Sequence, residues 1–162
     1  METQGQRYTD ESIILSRARG VTKWFPMKRW FFEKQNYVRA VEDVSLDLYR
    51  GETLGIVGES GCGKSTLART LLRLIEPTSG TIEYDNKDIL SLNKRQLRAL
   101  RRHMQIVFQD PYSSLHPRMK IGDIIAEPFQ INKLVHSKEE QDERVRELMS
   151  MVSLDPSSYM DR

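Results

Sequence analysis

Nine consecutive residues, Gly58-Glu59-Ser60-Gly61-Cys62-Gly63-Lys64-Ser65-Thr66, hold the most specific chemistry in the chain. They fit the pattern G-x-x-x-x-G-K-[ST] without a mismatch. Gly58, Gly61 and Gly63 allow backbone angles that a side chain would resist. A loop bent in that way turns successive N–H groups inward and forms a cradle for an anion. A helix starting near Gly63 adds its positive end to the same anion. Ser60 and Cys62 fill the loop positions between the glycines, and Cys62 reads as a small residue at a variable position. Lys64 is placed to reach the β- and γ-phosphates of a nucleoside triphosphate. The Ser65 hydroxyl is the expected Mg²⁺ ligand, and Thr66 falls beside the α-phosphate.

Such a loop works only between a strand and a helix, and the flanking sequence offers both. Thr53 to Val57 (TLGIV) is an almost wholly apolar run, which suits a strand buried on both faces of a parallel sheet. Ser65 to Ile75 has helical spacing. Leu67, Leu71 and Leu74 share one face, Ala68, Leu72 and Ile75 lie beside it, and Arg69 and Arg73 lie opposite. Pro77 and Gly80 are the expected terminators. Met104 to Phe108 (MQIVF) is a second candidate buried strand, broken by Gln109-Asp110-Pro111. Short strands are expected at 13–16, 44–48 and 81–84. Residues 23–37, KWFPMKRWFFEKQNY, mix bases with aromatics and read as a loop or irregular hairpin. Helices are expected at 93–102, 121–129 and 137–152. The last carries a stripe of Val145, Leu148, Met149 and Val152, and Ser137 with Glu140 offers a capping box. The strand–helix–strand order indicates an α/β fold.

The chain has 162 residues, the size of about one domain. Its 25 Lys and Arg against 23 Asp and Glu give a net charge of +2, which argues against a dedicated nucleic-acid binder. No run approaches the roughly 18 apolar residues of a membrane-spanning helix. The N-terminal METQGQRYTDES lacks the apolar core of a signal peptide. One cysteine, Cys62, cannot form an internal disulfide, which fits a reducing compartment.

A guanine-nucleotide switch is a poor match, because Asn86-Lys87-Asp88-Ile89 has isoleucine where N-K-x-D needs aspartate. A small P-loop kinase with an arginine-rich lid (Arg95, Arg98, Arg101, Arg102) is an enzyme-class alternative. The long segments GETLGIVGESGCGKSTLARTLLRLIEPTSGTI and MQIVFQDPYSSLHPRMKIGDIIAEP instead resemble an ABC transporter ATP-binding subunit. The resemblance is to the oligopeptide/dipeptide permease group, and within it to the F-type member of the two paired ATPases. It covers roughly residues 12–162.

That resemblance implies a P-loop NTPase fold of ABC type, present in part. It would comprise an antiparallel β region, part of the parallel core sheet and the start of a helical subdomain. The expected bounds are a flexible 1–12, a nucleotide-binding core over 13–111 and a helical segment over 112–162. Gln109 matches the family's Q-loop glutamine, whose amide oxygen coordinates Mg²⁺ and whose NH₂ orients the attacking water. With Lys64 it forms the expected catalytic pair. The family stacks adenine on an aromatic upstream of the P-loop. Tyr37 is the candidate, and Trp30, Phe31 and Phe32 offer the same flat surface. The implied ligands are ATP and Mg²⁺. The implied partners are transmembrane permease subunits, a paired ATP-binding subunit in a heterodimer and, indirectly, an extracytoplasmic peptide-binding protein. The implied place is the cytoplasmic side of the membrane.

Other family elements do not occur in these 162 residues. There is no run of four apolar residues followed by Asp-Glu, no LSGGQ and no switch histidine in context, since His103, His116 and His136 follow no suitable strand. The expectation is an N-terminal part of a longer ATPase that binds ATP and hydrolyses it negligibly alone. A non-catalytic nucleotide-binding or interaction module is the alternative from another class.

Overall fold

The structure is a computed structural model, and it describes residues 14–28, 35–109 and 116–161. The chain divides into two compact units, Met1–Gln105 and Ile106–Arg162.

The first unit is built on one antiparallel sheet of order β2-β1-β3-β4. Its strands are β1 (Ile14–Pro26), β2 (Tyr37–Tyr49), β3 (Ser79–Tyr84) and β4 (Lys87–Asp88). β1 is far longer than the four-residue strand expected, because both β2 and β3 bond along it. It pairs with β2 from Ile14↔Tyr49 to Pro26↔Tyr37 and with β3 from Ser16↔Tyr84 to Thr22↔Ser79. Part of the 23–37 stretch is therefore regular strand. The register shifts between Ala18 and Val21, where Gly20 and Asp43 both take positive φ. Ala18, Val21, Val41, Ile82 and Ile89 form the core with Leu67 of α1 (Lys64–Leu71). Burying each of the larger aliphatic side chains contributes about 1.5–3 kcal/mol before the entropy cost.

α1 ends four residues earlier than the apolar spacing predicts. Arg73 takes φ 49° and closes a Schellman motif, with Leu74 N–H donating to Arg69 O at 2.8 Å and Arg73 N–H to Thr70 O at 2.9 Å. Arg73 therefore leaves the solvent face expected for it. Its guanidinium donates to Ile89 O at 2.6 Å and Leu92 O at 2.8 Å and holds the loop after β4 against the core. α2 (Lys94–Leu100) follows, opened by an Asn93–Gln96 capping box.

Two expected strands do not form. Residues 53–57 and 104–108 carry no strand pairing, and Val57 and Val107 are 96% and 97% exposed. A parallel strand exists only by bonding laterally to neighbours that crossover connections bring alongside. Among the described residues neither run has such a neighbour, so their apolar composition finds no ladder. The sheet here is wholly antiparallel.

In the second unit α3 (Ile121–Ile131), α4 (Lys138–Met151) and α5 (Pro156–Tyr159) enclose Ala126, Val145 and Met149. Of the expected α4 stripe, Val145 and Met149 are buried while Leu148 and Val152 are exposed. Ser137 caps α4 by accepting from Glu140 N–H at 3.1 Å. The Glu140 carboxylate closes on His136 N–H at 2.9 Å instead of the N-cap, so the reciprocal bond lies one residue outside the expected box. That bond is the main reason the Glu140 carboxyl sits below its ordinary pKa.

A phosphate loop anchored on the sheet

Residues 58–62 are exposed and, with half-buried Gly63, form a bend that runs directly into α1. Gly63 is the N-cap of α1 at φ 95°, a conformation that L side chains resist. Space forbids a side chain there as well. A Cβ on Gly63 would stand 2.0 Å from the Ala40 carbonyl oxygen of β2. The loop is thus seated on the sheet at its C-terminal end, and glycine is the residue that permits the seating. Gly61 also takes a positive φ, 82°, in open space. Gly58 differs from the expectation. It is not at positive φ, and its constraint is spatial, because a Cβ would lie 2.7 Å from Cys62 Sγ inside the bend.

The first bond of α1 is Leu67 N–H to Gly63 O at 2.8 Å. The N–H groups from Gly63 to Thr66 precede that ladder and have no partner within the helix. No acidic side chain stands in this first turn and no side chain caps it. Positive dipole and free donors therefore remain directed at the bend. The Lys64 side chain folds back over the bend, with Nζ donating to Gly58 O at 2.7 Å and also to Glu59 O. Nζ also approaches Cys62 Sγ at 3.5 Å. The ammonium and the N-terminal end of α1 thus lie against the same bend, which Cys62 N–H closes by donating to Glu59 O at 3.4 Å. Ser65 is exposed on the first turn beside it, and Thr66 is half-buried next to it. Ser60 and Cys62 are exposed on the bend.

Those donors suit a polyphosphate. Mg²⁺ keeps most of its waters and takes few protein ligands alongside substrate phosphates, and a single exposed hydroxyl from Ser65 fits that mode. Among the described residues no three His, Cys, Asp or Glu side chains converge into a metal cage.

Tyr37 opens β2 opposite Pro26, half exposed, with its ring centroid 6.1 Å from that of Trp24 and tilted by 48°. Arg39 lies over Trp24 at 4.9 Å. Trp24 was not among the candidates. Its signal was the aromatic-rich run itself, but strand register was needed to bring it beside Tyr37. Trp30, Phe31 and Phe32 lie outside the described residues, as do Asp110 and Pro111. Gln109 is exposed in the second unit, at the residue before that gap.

Fold and loop together define a P-loop nucleotide-binding protein of the α/β class. The ABC transporter family model matches residues 41–160, and the chain belongs to that family. It is 50% identical over 146 residues to a probable peptide ABC transporter ATP-binding protein of Sinorhizobium fredii, covering 90% of this chain and 41% of the relative. It is 48% identical over 142 residues to a di/tripeptide transport ATP-binding protein of Pseudomonas aeruginosa, covering 88% and 44%. A dimeric ATP-binding cassette in a post-hydrolysis state with ADP and phosphate superposes with a TM-score of 0.72 at 28% identity, covering 91% of this chain and 61% of that one. The chain therefore spans less than half the length of these curated relatives.

Proposed function

We propose that these residues form the nucleotide-gripping part of the ATP-binding subunit of a peptide importer. The names of the relatives support the peptide class. The observation that carries the nucleotide reading is the seated bend, with Gly63 fixed on β2 and Lys64 Nζ over the loop. In this reading Gly58, Ser60, Gly61, Cys62 and Gly63 wrap the phosphates with their amides. Lys64 offsets the β/γ charge, Ser65 holds Mg²⁺, and Thr66 meets the α-phosphate. Mg²⁺ held there by Ser65 would supply positive charge to offset the charge that develops on the phosphates. Tyr37 stacks the adenine and Gln109 supplies the Q-loop amide. The core runs over 13–111 and the helical segment over 112–162.

In the whole subunit, a paired ATPase completes each nucleotide site and permease subunits receive the resulting motion at the cytoplasmic face of the membrane. Peptide choice lies with the permease and an extracytoplasmic binding protein. The 162 residues contain neither the second aspartate with its following glutamate nor the signature segment. The polypeptide is therefore expected to bind Mg-ATP weakly and turn it over negligibly. Retention on an ATP resin, lost in Lys64→Ala, tests the binding. Robust multiple turnover by the purified chain would contradict the assignment of roles.

A further inference from the structure

We propose that the basic face of α2 is a docking site for a carboxylate-rich segment of a partner protein. From Ile89 to Gln109 the chain has five Lys and Arg and no Asp or Glu, against a net charge of +2 for the whole. α2 turns those bases to one side. At about 100° per residue, Lys94, Arg95, Arg98, Arg101 and Arg102 fall within an arc of about 120°, and no other residue from Asn93 to His103 falls inside it. The helical path holds through Arg101, whose N–H donates to Leu97 O at 3.0 Å. All five bases are exposed. Among the described residues Lys94, Arg95 and Arg98 make no ion pair and no side-chain hydrogen bond. Arg101 pins its end of the row by donating to Arg73 O at 3.2 Å. The preceding carboxylates are engaged elsewhere, Asp85 with Arg50 and Asp88 with Leu90 N–H at 2.8 Å.

The chain does not treat its other charged helix in this way. α4 mixes signs along its surface, pairing Lys138 with Asp142 and Arg144 with Glu140. Like charges three or four positions apart on a helix repel. α2 carries that repulsion between Arg98 and each of Lys94, Arg95, Arg101 and Arg102. An anionic partner relieves it. Four of the five bases are arginine, whose planar fork meets a carboxylate with two hydrogen bonds at once. The row from Lys94 to Arg102 is about 12 Å long, the reach of about four extended residues. The arc holds no aromatic ring on which a nucleic-acid base could stack. It holds no apolar side chain to enter a bilayer either. Leu97 and Leu100 are half-buried outside it, and Leu100 packs against the core. A short acidic stretch of polypeptide is the occupant these features fit.

The test is fluorescence anisotropy of a labelled poly-glutamate peptide titrated with the full 162-residue chain. The expected result is saturable binding that weakens with added salt and falls roughly tenfold or more in Arg95→Glu/Arg98→Glu. Arg95→Lys/Arg98→Lys keeps the charge and removes the fork, so a smaller loss of about threefold is expected. The control Lys23→Glu/Lys28→Glu changes net charge by the same amount and is expected to bind as the parent does. Circular dichroism confirms that each variant folds. The assay runs without nucleotide, so failure of ATP retention leaves its result standing. Absence of saturable binding, or an equal loss in the control variant, overturns the proposal. So does tighter binding of a single-stranded oligonucleotide or of phosphatidylglycerol vesicles that is lost in Arg95→Glu/Arg98→Glu.

Discussion

The two ends of the phosphate loop are held in different ways. At its C-terminal end Gly63 presses on the Ala40 carbonyl and the chain continues into α1, whose Leu67 is buried against the sheet. At its N-terminal end residues 53–57 carry no strand pairing, and Leu54 and Ile56 stay more than two-fifths exposed. The contrast teaches that the loop is shaped from its helix side. Local antiparallel partners and one close backbone approach suffice there. The entry side is specified by composition alone, and composition does not make a parallel strand without neighbours.

Breaking the anchored end has the largest expected effect. Gly63→Val combines a disallowed φ with a collision against β2 backbone, and is expected to cost 3 kcal/mol or more, on the order of losing the fold of the first unit. Urea unfolding followed by circular dichroism checks it. Gly61→Ala sharpens the point. It has the same sign of φ but open space, so a loss of only about 1 kcal/mol is expected.

The core behind the anchor comes next. Ile82→Ala removes a fully buried side chain and is expected to cost about 2–5 kcal/mol. Val57→Ser and Val107→Ser, on the unpaired runs, are expected to stay within about 0.5 kcal/mol of the parent in the same melts. A large destabilisation by Val57→Ser would show that the entry side is packed after all and erase the contrast.

The smallest expected effect is electrostatic. Arg19 donates to Asp47 across β1 and β2 at 2.7 Å, and this bond holds the Asp47 carboxyl below its ordinary pKa. A lowered folded-state pKa contributes stability above the ordinary carboxylate range, and that contribution is lost as pH falls through the lowered value. Asp47→Asn is therefore expected to cost at most about 1 kcal/mol at pH 7 for this partly exposed pair. Melts at neutral pH and near pH 3 check the sign, since the difference between parent and variant should shrink in acid.

What the sequence disclosed follows the same division. The phosphate loop was legible because its spacing encodes backbone geometry directly, and the helices were legible from their apolar periodicity. The early stop of α1 was not, because a Schellman turn at a non-glycine residue such as Arg73 leaves no compositional mark. The runs TLGIV and MQIVF read as buried strands, yet burial is conferred by neighbours and not by the run. The length of β1 was missed for a related reason: Lys23 to Pro26 look like a basic, proline-broken loop until β2 is laid against them. Gly63 was read for its φ, while its contact with Ala40 depends on residues more than twenty positions away.

The central claim is that the amides from Gly58 to Thr66, together with Lys64, grip a triphosphate. Backbone amide NMR of the labelled chain, titrated with a nonhydrolysable Mg-ATP analogue, tests it most directly. The account predicts saturable shifts at Gly61, Gly63, Lys64 and Ser65 that vanish in Lys64→Ala. Saturable shifts elsewhere in the chain, with these four amides unmoved, would contradict it.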